Sequence, residues 1–590
     1  MPLLVSASAL QRPAAVVLGA AVGLPLLWGL SGAVAAAFDG QAWADLVAHP
    51  QTARALGLSL GTGLLAFVLA LSGAAALLAW SFGAPRWNRL RAWLPAMLAL
   101  PHAAFAIGLL LLVAPAGWLV RLGVALLLPV NGLLGLSLDA PPPWQTTQDP
   151  WGLGLLAVLV FKEIPFLLWV AAAQLQRPDL AHRLNLELRL AQSLGYSPRS
   201  AWWRVAWPQL LARLKAPLLA VLVYNLTVVD VALLIGPSAP PTLAVLAWQW
   251  LQDADPARNA LGAAAAWLLT ALAAGLALLG LLVQRSASGW RVMRWTRGVP
   301  LALSQPAADV IRGTNAKAQP RAWGRSAAQG ALLRTLPTAY TAVALALALG
   351  SVVGVWPFPG LWPQAWTLQA WQAVAVSASV VWTTLGLALA SSAAALAWTV
   401  AWLECAPPAW QRRLQGLWYL PLLLPAVLWT IGLHRVALAW GLVGGSQGLW
   451  LAHTLCVLPY VVLSLQGPYA NFDTRLRAVA ASLGRSRWAF VWQIKWPLLR
   501  AALAASFAVG FAVSVAQYLP TLYVGAGRFA TATTEAVALA SGGQRSLMAA
   551  FAALQWLLPV LVFGLAARTG RARQFEVRST ASSGALQTLQ

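Results

Sequence analysis

Apolar residues fill long stretches of this chain, and short polar stretches separate them. A helix of about 20 apolar residues is long enough to cross the hydrocarbon core of a bilayer. Twelve stretches are close to that length or longer, so the pattern predicts twelve membrane-spanning helices. They lie at residues 14–36, 55–80, 93–113, 151–173, 214–236, 259–283, 337–356, 373–402, 417–436, 448–466, 501–523 and 546–567.

The first stretch could instead be a cleaved signal peptide, because Arg12 precedes it and small residues lie near its end. Its apolar run exceeds the roughly 7–15 residues usual for a signal peptide, and eleven further stretches follow it. We therefore expect it to remain as a helix.

The composition supports a membrane protein. Sixty per cent of the 590 residues are hydrophobic and 9% are charged, whereas soluble proteins are about 25% charged. Such a chain cannot cover a water-facing surface, which excludes a soluble multidomain enzyme. The predicted fold class is an all-α polytopic membrane protein. The two cysteines, Cys405 and Cys456, match no zinc-ligand spacing.

The net charge of +24 could by itself indicate nucleic-acid binding. The position of the charges argues against it. If the N-terminus is inside, 32 of the 39 Lys and Arg residues fall in the segments on the inner side. The positive-inside rule therefore places both termini in the cytoplasm, and no nucleic-acid partner is expected.

The chain contains an internal repeat. Residues 191–210 (AQSLGYSPRSAWWRVAWPQL) and 480–499 (AASLGRSRWAFVWQIKWPLL) are identical at nine of twenty positions. Each half has six predicted spans, an even number, so the two repeats should run in the same direction through the membrane. The predicted division is a first repeat at 1–283 (core 50–283), a cytosolic linker at 284–335, a second repeat at 336–568 (core 370–568) and a cytosolic tail at 569–590.

The repeated block lies in a cytosolic loop between the fourth and fifth predicted spans of each half. Its order predicts a helix, a glycine turn in the left-handed conformation, a short helix capped by serine, and a proline that breaks the chain before the next span. The residues concerned are Gly195, Ser197, Val205, Trp207 and Pro208 in the first loop, and Gly484, Ser486, Ile494, Trp496 and Pro497 in the second.

The short helix is unusually aromatic in both loops, with Trp203 and Trp492 eight residues after the respective glycines. One interpretation is an interfacial helix whose tryptophans lie at the level of the lipid headgroups. The other is a surface that docks on a partner protein.

The spacing resembles the E-A-A-x3-G-x9-I-x-L-P loop in the permease subunits of binding-protein-dependent ABC importers, which have the type I fold. The Gly-x9-aliphatic-x-x-Pro part occurs twice, as in the fused permeases of the group that imports ferric iron, thiamine, polyamines and some oxyanions. Arg189 and Ala478 stand at the glutamate position of the motif. The resemblance implies coupling helices formed by Gly195, Trp203, Val205, Trp207 and Pro208, and by Gly484, Trp492, Ile494, Trp496 and Pro497.

The same resemblance implies the partners and the location. These are two copies of a cytosolic ABC ATPase, an extracytoplasmic substrate-binding protein, and the bacterial inner membrane. None of the four lysines follows a glycine, so the chain lacks a G-x4-G-K-[ST] phosphate loop. We therefore expect no enzyme activity and no cofactor or metal bound by this chain, with ATP used by the partner subunits.

Polar residues within the predicted spans are candidates for the translocation path. A secondary transporter with two parallel six-helix repeats is the alternative, and it would couple transport to such intramembrane groups. Asp230 could also lie near the outer interface and be merely solvated or capped. An acid near the outer mouth favours a small cationic solute such as thiamine, ferric iron or a polyamine. The path candidates are Asp230, Asn225, Thr227, Gln517 and Ser514, with Glu163 as a rival site.

Overall fold

The computed structural model describes residues 3–36, 38–82, 85–127, 139–175, 177–296 and 327–587. Regular structure within these ranges is helical, and no strand forms there apart from a single bridge between Val353 and Trp366. Residues 297–326, most of the predicted linker, lie outside the described ranges.

The long apolar helices account for the predicted spans. Among the described residues, ten helices could each cross a membrane, and two bent helix pairs raise the number to twelve. The prediction of an all-α polytopic membrane protein is confirmed. In chain order, spans 1–12 are Gln11–Ser31, Thr52–Ser81, His102–Leu127, Leu153–Leu175, the pair Pro198–Arg213 and Lys215–Thr227, Pro256–Ser286, Leu333–Gly350, Ala378–Cys405, the pair Pro408–Leu422 and Ala426–Ala439, Ser446–Ala470, Arg487–Val515, and Arg545–Thr569.

Several spans belong to longer helices, and shorter helices connect them. Spans 1, 6, 7 and 12 are parts of Leu3–Ala36, Pro256–Thr296, Ala327–Gly350 and Arg545–Gln587, and span 3 consists of His102–Val113 and Trp118–Leu127. The connecting helices are Gly40–Ala48, Pro85–Ala99, Pro178–Ser193, Asp230–Ile235, Leu243–Leu251, Gln369–Val376, Arg475–Ser482, Leu519–Val524 and Ala532–Ser541.

The predicted span at 93–113 is not one helix. The preceding helix ends at Ala99, and Pro101 is extended, with φ −62° and ψ 157°, before the next helix begins at His102. A proline disfavours the helical conformation of the residue before it and has no N–H for the helical ladder. The predicted continuous span was wrong for this reason.

One compact unit consists of Met1–Gln41, Ala99–Trp144 and Leu345–Gln590. One of its core clusters contains Trp402 and Trp418 together with residues of spans 1, 9 and 10. Spans 1 and 9 approach closely where Gly29 faces Gly432, since a Cβ added at Gly29 would lie 2.9 Å from the backbone of Gly432. Small residues permit this kind of close contact between membrane helices.

The other compact unit consists of Ala42–Leu98 and Gln145–Ala344. Leu222 and Leu226 of span 5 pack there against Ala273 of span 6. The hydroxyl of Ser59 in span 2 accepts a hydrogen bond of 2.9 Å from the backbone N–H of Leu243, the first residue of the helix Leu243–Leu251. A buried hydroxyl thus satisfies a helix-end donor that has no partner in its own helix.

Candidate functional site

The two repeated loops fold in the same way. The first loop (178–213) contains the helix Pro178–Ser193, a turn at Gly195, the short helix Pro198–Ala201, one π-helical turn at Trp202–Ala206, and the helix Trp207–Arg213. The second loop (475–497) contains Arg475–Ser482, a turn at Gly484, Arg487–Phe490, a π-helical turn at Val491–Lys495, and the start of Trp496–Val515. The sequence repeat therefore corresponds to a repeated local structure.

Both turn glycines are in the left-handed conformation, as predicted. The φ angle is +89° at Gly195 and +72° at Gly484. The residue after each glycine donates a backbone hydrogen bond to a carbonyl five residues earlier, from Tyr196 to Ala191 at 3.1 Å and from Arg485 to Ala480 at 3.0 Å. This pattern closes the first helix and requires a positive φ at the glycine.

The predicted serine caps are also present. The hydroxyl of Ser197 accepts a hydrogen bond of 3.2 Å from the backbone N–H of Ser200. The hydroxyl of Ser486 accepts one of the same length from the N–H of Ala489. Each cap satisfies a free donor at the start of the short helix and fixes the direction in which that helix leaves the glycine turn.

The prediction that Pro208 and Pro497 break the chain was wrong. Each lies in the first turn of a helix that continues beyond it. The π turn before each helix is closed by a backbone hydrogen bond between residues five apart. It runs from the N–H of Trp207 to the carbonyl of Trp202, and from the N–H of Trp496 to the carbonyl of Val491. A proline in a first turn has no intrahelical N–H bond to lose, so the helix accepts it.

The change of direction that was assigned to the proline occurs later in the first loop. The helices Pro198–Arg213 and Lys215–Thr227 meet at an angle of 69°. In the second loop, Arg487–Val515 continues into the membrane as one span.

Apolar side chains project into solvent at matching positions of the two loops. Trp203 is 36% exposed and Trp492 is 61% exposed. Each packs edge-to-face on the half-buried tryptophan four residues later, at 5.7 Å from Trp207 and 4.3 Å from Trp496. Leucine or valine side chains at matching positions on the preceding helix are exposed as well. They are Leu190 and Leu194 in the first loop, and Val479 and Leu483 in the second. We call these residues the paired apolar faces.

Other apolar residues of the loops point inward and hold the faces in place. Trp202 is buried against Phe82, with ring centroids 4.8 Å apart. Phe490 is buried against Phe472, and Ile494 packs on the same cluster. Val205 is half-buried. The aromatic residues therefore divide into an inward set that fixes the fold and an outward set that remains open.

Charged groups anchor the second loop to span 8. The ammonium of Lys495 lies 2.7 Å from a carboxylate oxygen of Glu404, and the two side chains are only 14% and 12% exposed. The Lys495 ammonium also lies 4.4 Å from the ring centroid of Tyr469. Arg487 donates a hydrogen bond of 2.7 Å to the carbonyl of Glu404. No local sequence pattern indicates this contact, because spans 9 and 10 separate its partners in the chain.

The first loop is held by a different set of polar contacts. Gln209 donates a hydrogen bond of 2.5 Å to Glu187 and accepts one of 2.9 Å from Arg183. Glu187 lies two residues before Arg189, the position at which the family motif has its glutamate. Each loop therefore has a carboxylate partner that does not come from the motif position.

The fifth and eleventh spans are interrupted at the same place in the repeat. Span 5 ends at Thr227 and a short helix begins at Asp230, whereas span 11 ends at Val515 and a short helix begins at Leu519. Asp230 and Gln517 lie at these interruptions and are half-buried. Non-helical backbone at membrane depth is tolerated where protein or a water-filled cavity surrounds it.

Ser514 lies in a buried polar network just before the second interruption. Its hydroxyl lies 2.9 Å from Nδ1 of His453 and 3.0 Å from the hydroxyl of Ser391. Nε2 of His453 lies 2.9 Å from the hydroxyl of Thr521, on the far side of the interruption. The imidazole thus bridges the break in span 11. Isolated hydroxyls such as Ser391 and Thr521 carry no sequence signal.

The corresponding residue in the first repeat is Asn225. It is buried, and neither atom of its amide has a hydrogen-bond partner among the described residues. Thr227 donates a hydrogen bond of 2.7 Å to the carbonyl of Val223 in its own helix. Glu163 is buried in span 4 beside Lys162, whose ammonium donates a hydrogen bond of 3.3 Å to the carbonyl of Met97.

No cluster of three or more His, Cys, Asp or Glu side chains that could hold a metal ion occurs in the described part of the chain.

Comparison with known proteins identifies a relative that aligns with most of the chain. No family model matches the chain. The chain is 34% identical over 530 residues to the inner membrane ABC transporter permease protein YnjC of Escherichia coli (strain K12), and the alignment covers 89% of each protein. The alignment is long enough to include both repeats.

Proposed function

Because this chain belongs to the permeases of ABC transporters, we propose that it is the membrane subunit of a binding-protein-dependent importer in the bacterial inner membrane. The observation that carries this proposal is the pair of identically folded loops, each with an exposed tryptophan at the same position. Separate ATPase subunits supply the energy, and the two loops are their docking elements.

Each part of a loop has a role in this proposal. Trp203 and Trp492 insert into clefts of two ATPase copies, with the neighbouring leucines and valine around them. The glycine turns and serine caps fix the angle of each short helix, so that ATPase closure moves the loop as one piece. In the second loop, the Lys495–Glu404 pair carries that movement to span 8.

The translocation path follows the two interrupted spans. Asp230, Asn225 and Thr227 line it in the first repeat, and Gln517 and Ser514 line it in the second, with Glu163 as a rival site. An extracytoplasmic binding protein delivers the solute, and both termini lie in the cytoplasm. The acid at the first interruption favours a small cation such as thiamine, ferric iron or a polyamine.

The secondary transporter that the sequence left open is less consistent with these observations. Such a transporter has no ATPase to dock, so it does not account for two exposed tryptophans on identically built cytosolic loops. The charges that the sequence places inside the predicted spans, which such a transporter would use for coupling, are few, namely Lys162, Glu163 and Asp230.

Uptake by proteoliposomes tests the proposal. The chain is reconstituted with its ATPase and its binding protein, and the binding protein is loaded with labelled thiamine, ferric iron or spermidine in turn. We expect uptake only with ATP and the ATPase present. Uptake by the chain alone on an ion gradient would contradict the proposal.

A further inference from the structure

Two apolar segments pack together at the membrane face opposite the second loop. One is the helix Trp118–Leu127 at the end of span 3, and the other is the segment 351–377 between spans 7 and 8. Span 8 begins at Ala378 beside this segment and ends at the contact between Glu404 and the second loop. We call the two segments together the apolar cap.

The segment 351–377 folds back on itself. The N–H of Gly354 donates to Ala365, and the N–H of Gln364 donates to Val355, at 2.9 and 3.0 Å. Trp118 of the neighbouring helix packs on two tryptophans of the segment, with ring centroids 4.6 Å from Trp356 and 5.5 Å from Trp362. The cap is therefore one packed structure.

Arg121 is the one charged residue in the cap, and it is turned inward. The 27 residues of 351–377 contain no Asp, Glu, Lys, Arg or His and include four tryptophans. Arg121 is 3% exposed, and its guanidinium donates to the carbonyls of Ala116, Trp356, Pro357 and Gly360 at 2.6 to 3.1 Å. The guanidinium thus satisfies backbone carbonyls at the tip of the segment and leaves no charge on the outer surface of the cap.

Most exposed side chains of the cap are apolar, and the exposed polar ones include three uncharged glutamines, Gln364, Gln369 and Gln372. On the helix Trp118–Leu127, three leucines at positions 119, 122 and 126 form one exposed stripe. On the folded segment, Trp362 is 61% exposed and Trp366 is 51% exposed. Spans 3, 7 and 8 hold this surface close to the bilayer. Its exposed tryptophans and leucines and its paired backbone carbonyls suit burial among lipids. Tryptophans favour the headgroup region, and backbone carbonyls that leave water need internal partners.

We propose that the apolar cap lies in the headgroup and upper acyl region of the bilayer leaflet on its side of the membrane. Phospholipid is a better occupant than a soluble protein that binds and leaves. A transient protein interface has a polar rim, and charges on it steer the encounter. The exterior of the cap has no charged side chain that could steer such an encounter.

Collision measurements on a nitroxide spin label test this placement. Cys405 and Cys456 are replaced by alanine, and single cysteines are introduced as Trp362→Cys or Leu126→Cys. Ala254→Cys is the matched control, because Ala254 is exposed in a turn between Asp253 and Asp255. The labelled proteins are placed in nanodiscs of phosphatidylethanolamine and phosphatidylglycerol. Collisions with oxygen, which is concentrated in lipid, are compared with those of a water-soluble nickel chelate.

We expect oxygen collisions to exceed nickel collisions severalfold at positions 362 and 126, and the reverse at 254. Water-like values at both cap positions would overturn the proposal. The proposal would also be overturned if nickel collisions at the cap positions were high and fell only when the extracytoplasmic binding protein was added. That result would make the cap a protein-docking surface. Leu126→Cys removes little packing, so the test survives if Trp362→Cys fails to fold. The result is independent of whether the chain couples to an ATPase.

Discussion

The double substitution Trp203→Ala and Trp492→Ala should separate ATP hydrolysis from transport. A tryptophan side chain buries up to about 250 Å². The exposed fractions of 36% and 61% leave about 90 Å² on Trp203 and about 150 Å² on Trp492 for burial by a partner. At about 25 cal/mol per Å², these areas correspond to about 2 and about 4 kcal/mol.

Only part of this free energy is realised in binding, because association has its own entropic cost. Half of the total, about 3 kcal/mol, corresponds to a Kd at least about 100-fold weaker. The larger exposed area of Trp492 predicts that its single substitution weakens binding more than that of Trp203. The double substitution leaves the buried aromatic residues of the loops, Trp202 and Phe490, unchanged, so the membrane part should still fold.

Affinity is measured by biolayer interferometry between the chain in nanodiscs and its ATPase, and coupling by parallel assays of ATP hydrolysis and uptake. Trp382→Ala is the matched control, because Trp382 is 71% exposed but lies near the start of span 8, away from the loops. If the double variant binds its ATPase with the affinity of the wild type and transports normally, the loops are not the docking elements.

Three further predictions concern the turn, the anchor and the path. Gly484→Val should abolish capture of the ATPase, because a positive φ costs a branched residue at least about 1–2 kcal/mol; Gly416→Val, in a helix with open space around it, should leave capture nearly unchanged, because valine is no worse a helix former than glycine. Lys495→Met should lower the Tm by leaving the largely buried charge of Glu404 unpaired, at a cost of up to about 3–5 kcal/mol, and adding Glu404→Gln should restore most of it. Asp230→Asn should reduce uptake driven by the loaded binding protein while the complex stays assembled.

Each of these predictions has a contradicting result. Normal ATPase capture by Gly484→Val would mean that the turn tolerates a side chain. Additive losses in the double-mutant cycle of Glu404 and Lys495 would mean that the two side chains do not stabilise each other. Unchanged uptake and unchanged ATP turnover in Asp230→Asn would remove Asp230 from the path, and with it the support for a cationic solute.

The features that the sequence predicted correctly are those set by local interactions. Most spans are continuous apolar runs, and each glycine turn depends on a few residues around Gly195 or Gly484. The serine caps belong to the same group, because cap and recipient N–H lie three residues apart. Such features can be read from a single sequence because their physical causes lie within one or two helical turns.

The features that the sequence did not predict depend on contacts between distant residues or on unusual helical geometry. Pro208 indicated a break because an α-helix rejects an internal proline, whereas the π turn before it accommodates the ring. Glu404 and Lys495 meet through tertiary packing. Arg121 meets the carbonyls of a segment more than 230 residues away in the chain, and no local pattern in the sequence indicates that contact.

Native mass spectrometry of the assembled complex is the most direct test of the central claim. The chain is co-purified with its ATPase, and the mass of the complex is measured for the wild type, for Trp203→Ala, for Trp492→Ala and for the double variant. If the two loops are the docking elements, we expect two ATPase subunits per chain in the wild type. We expect weaker retention of one subunit in each single variant and no bound ATPase subunit in the double variant. A chain that retains no ATPase, or a double variant that still retains two, would contradict this expectation.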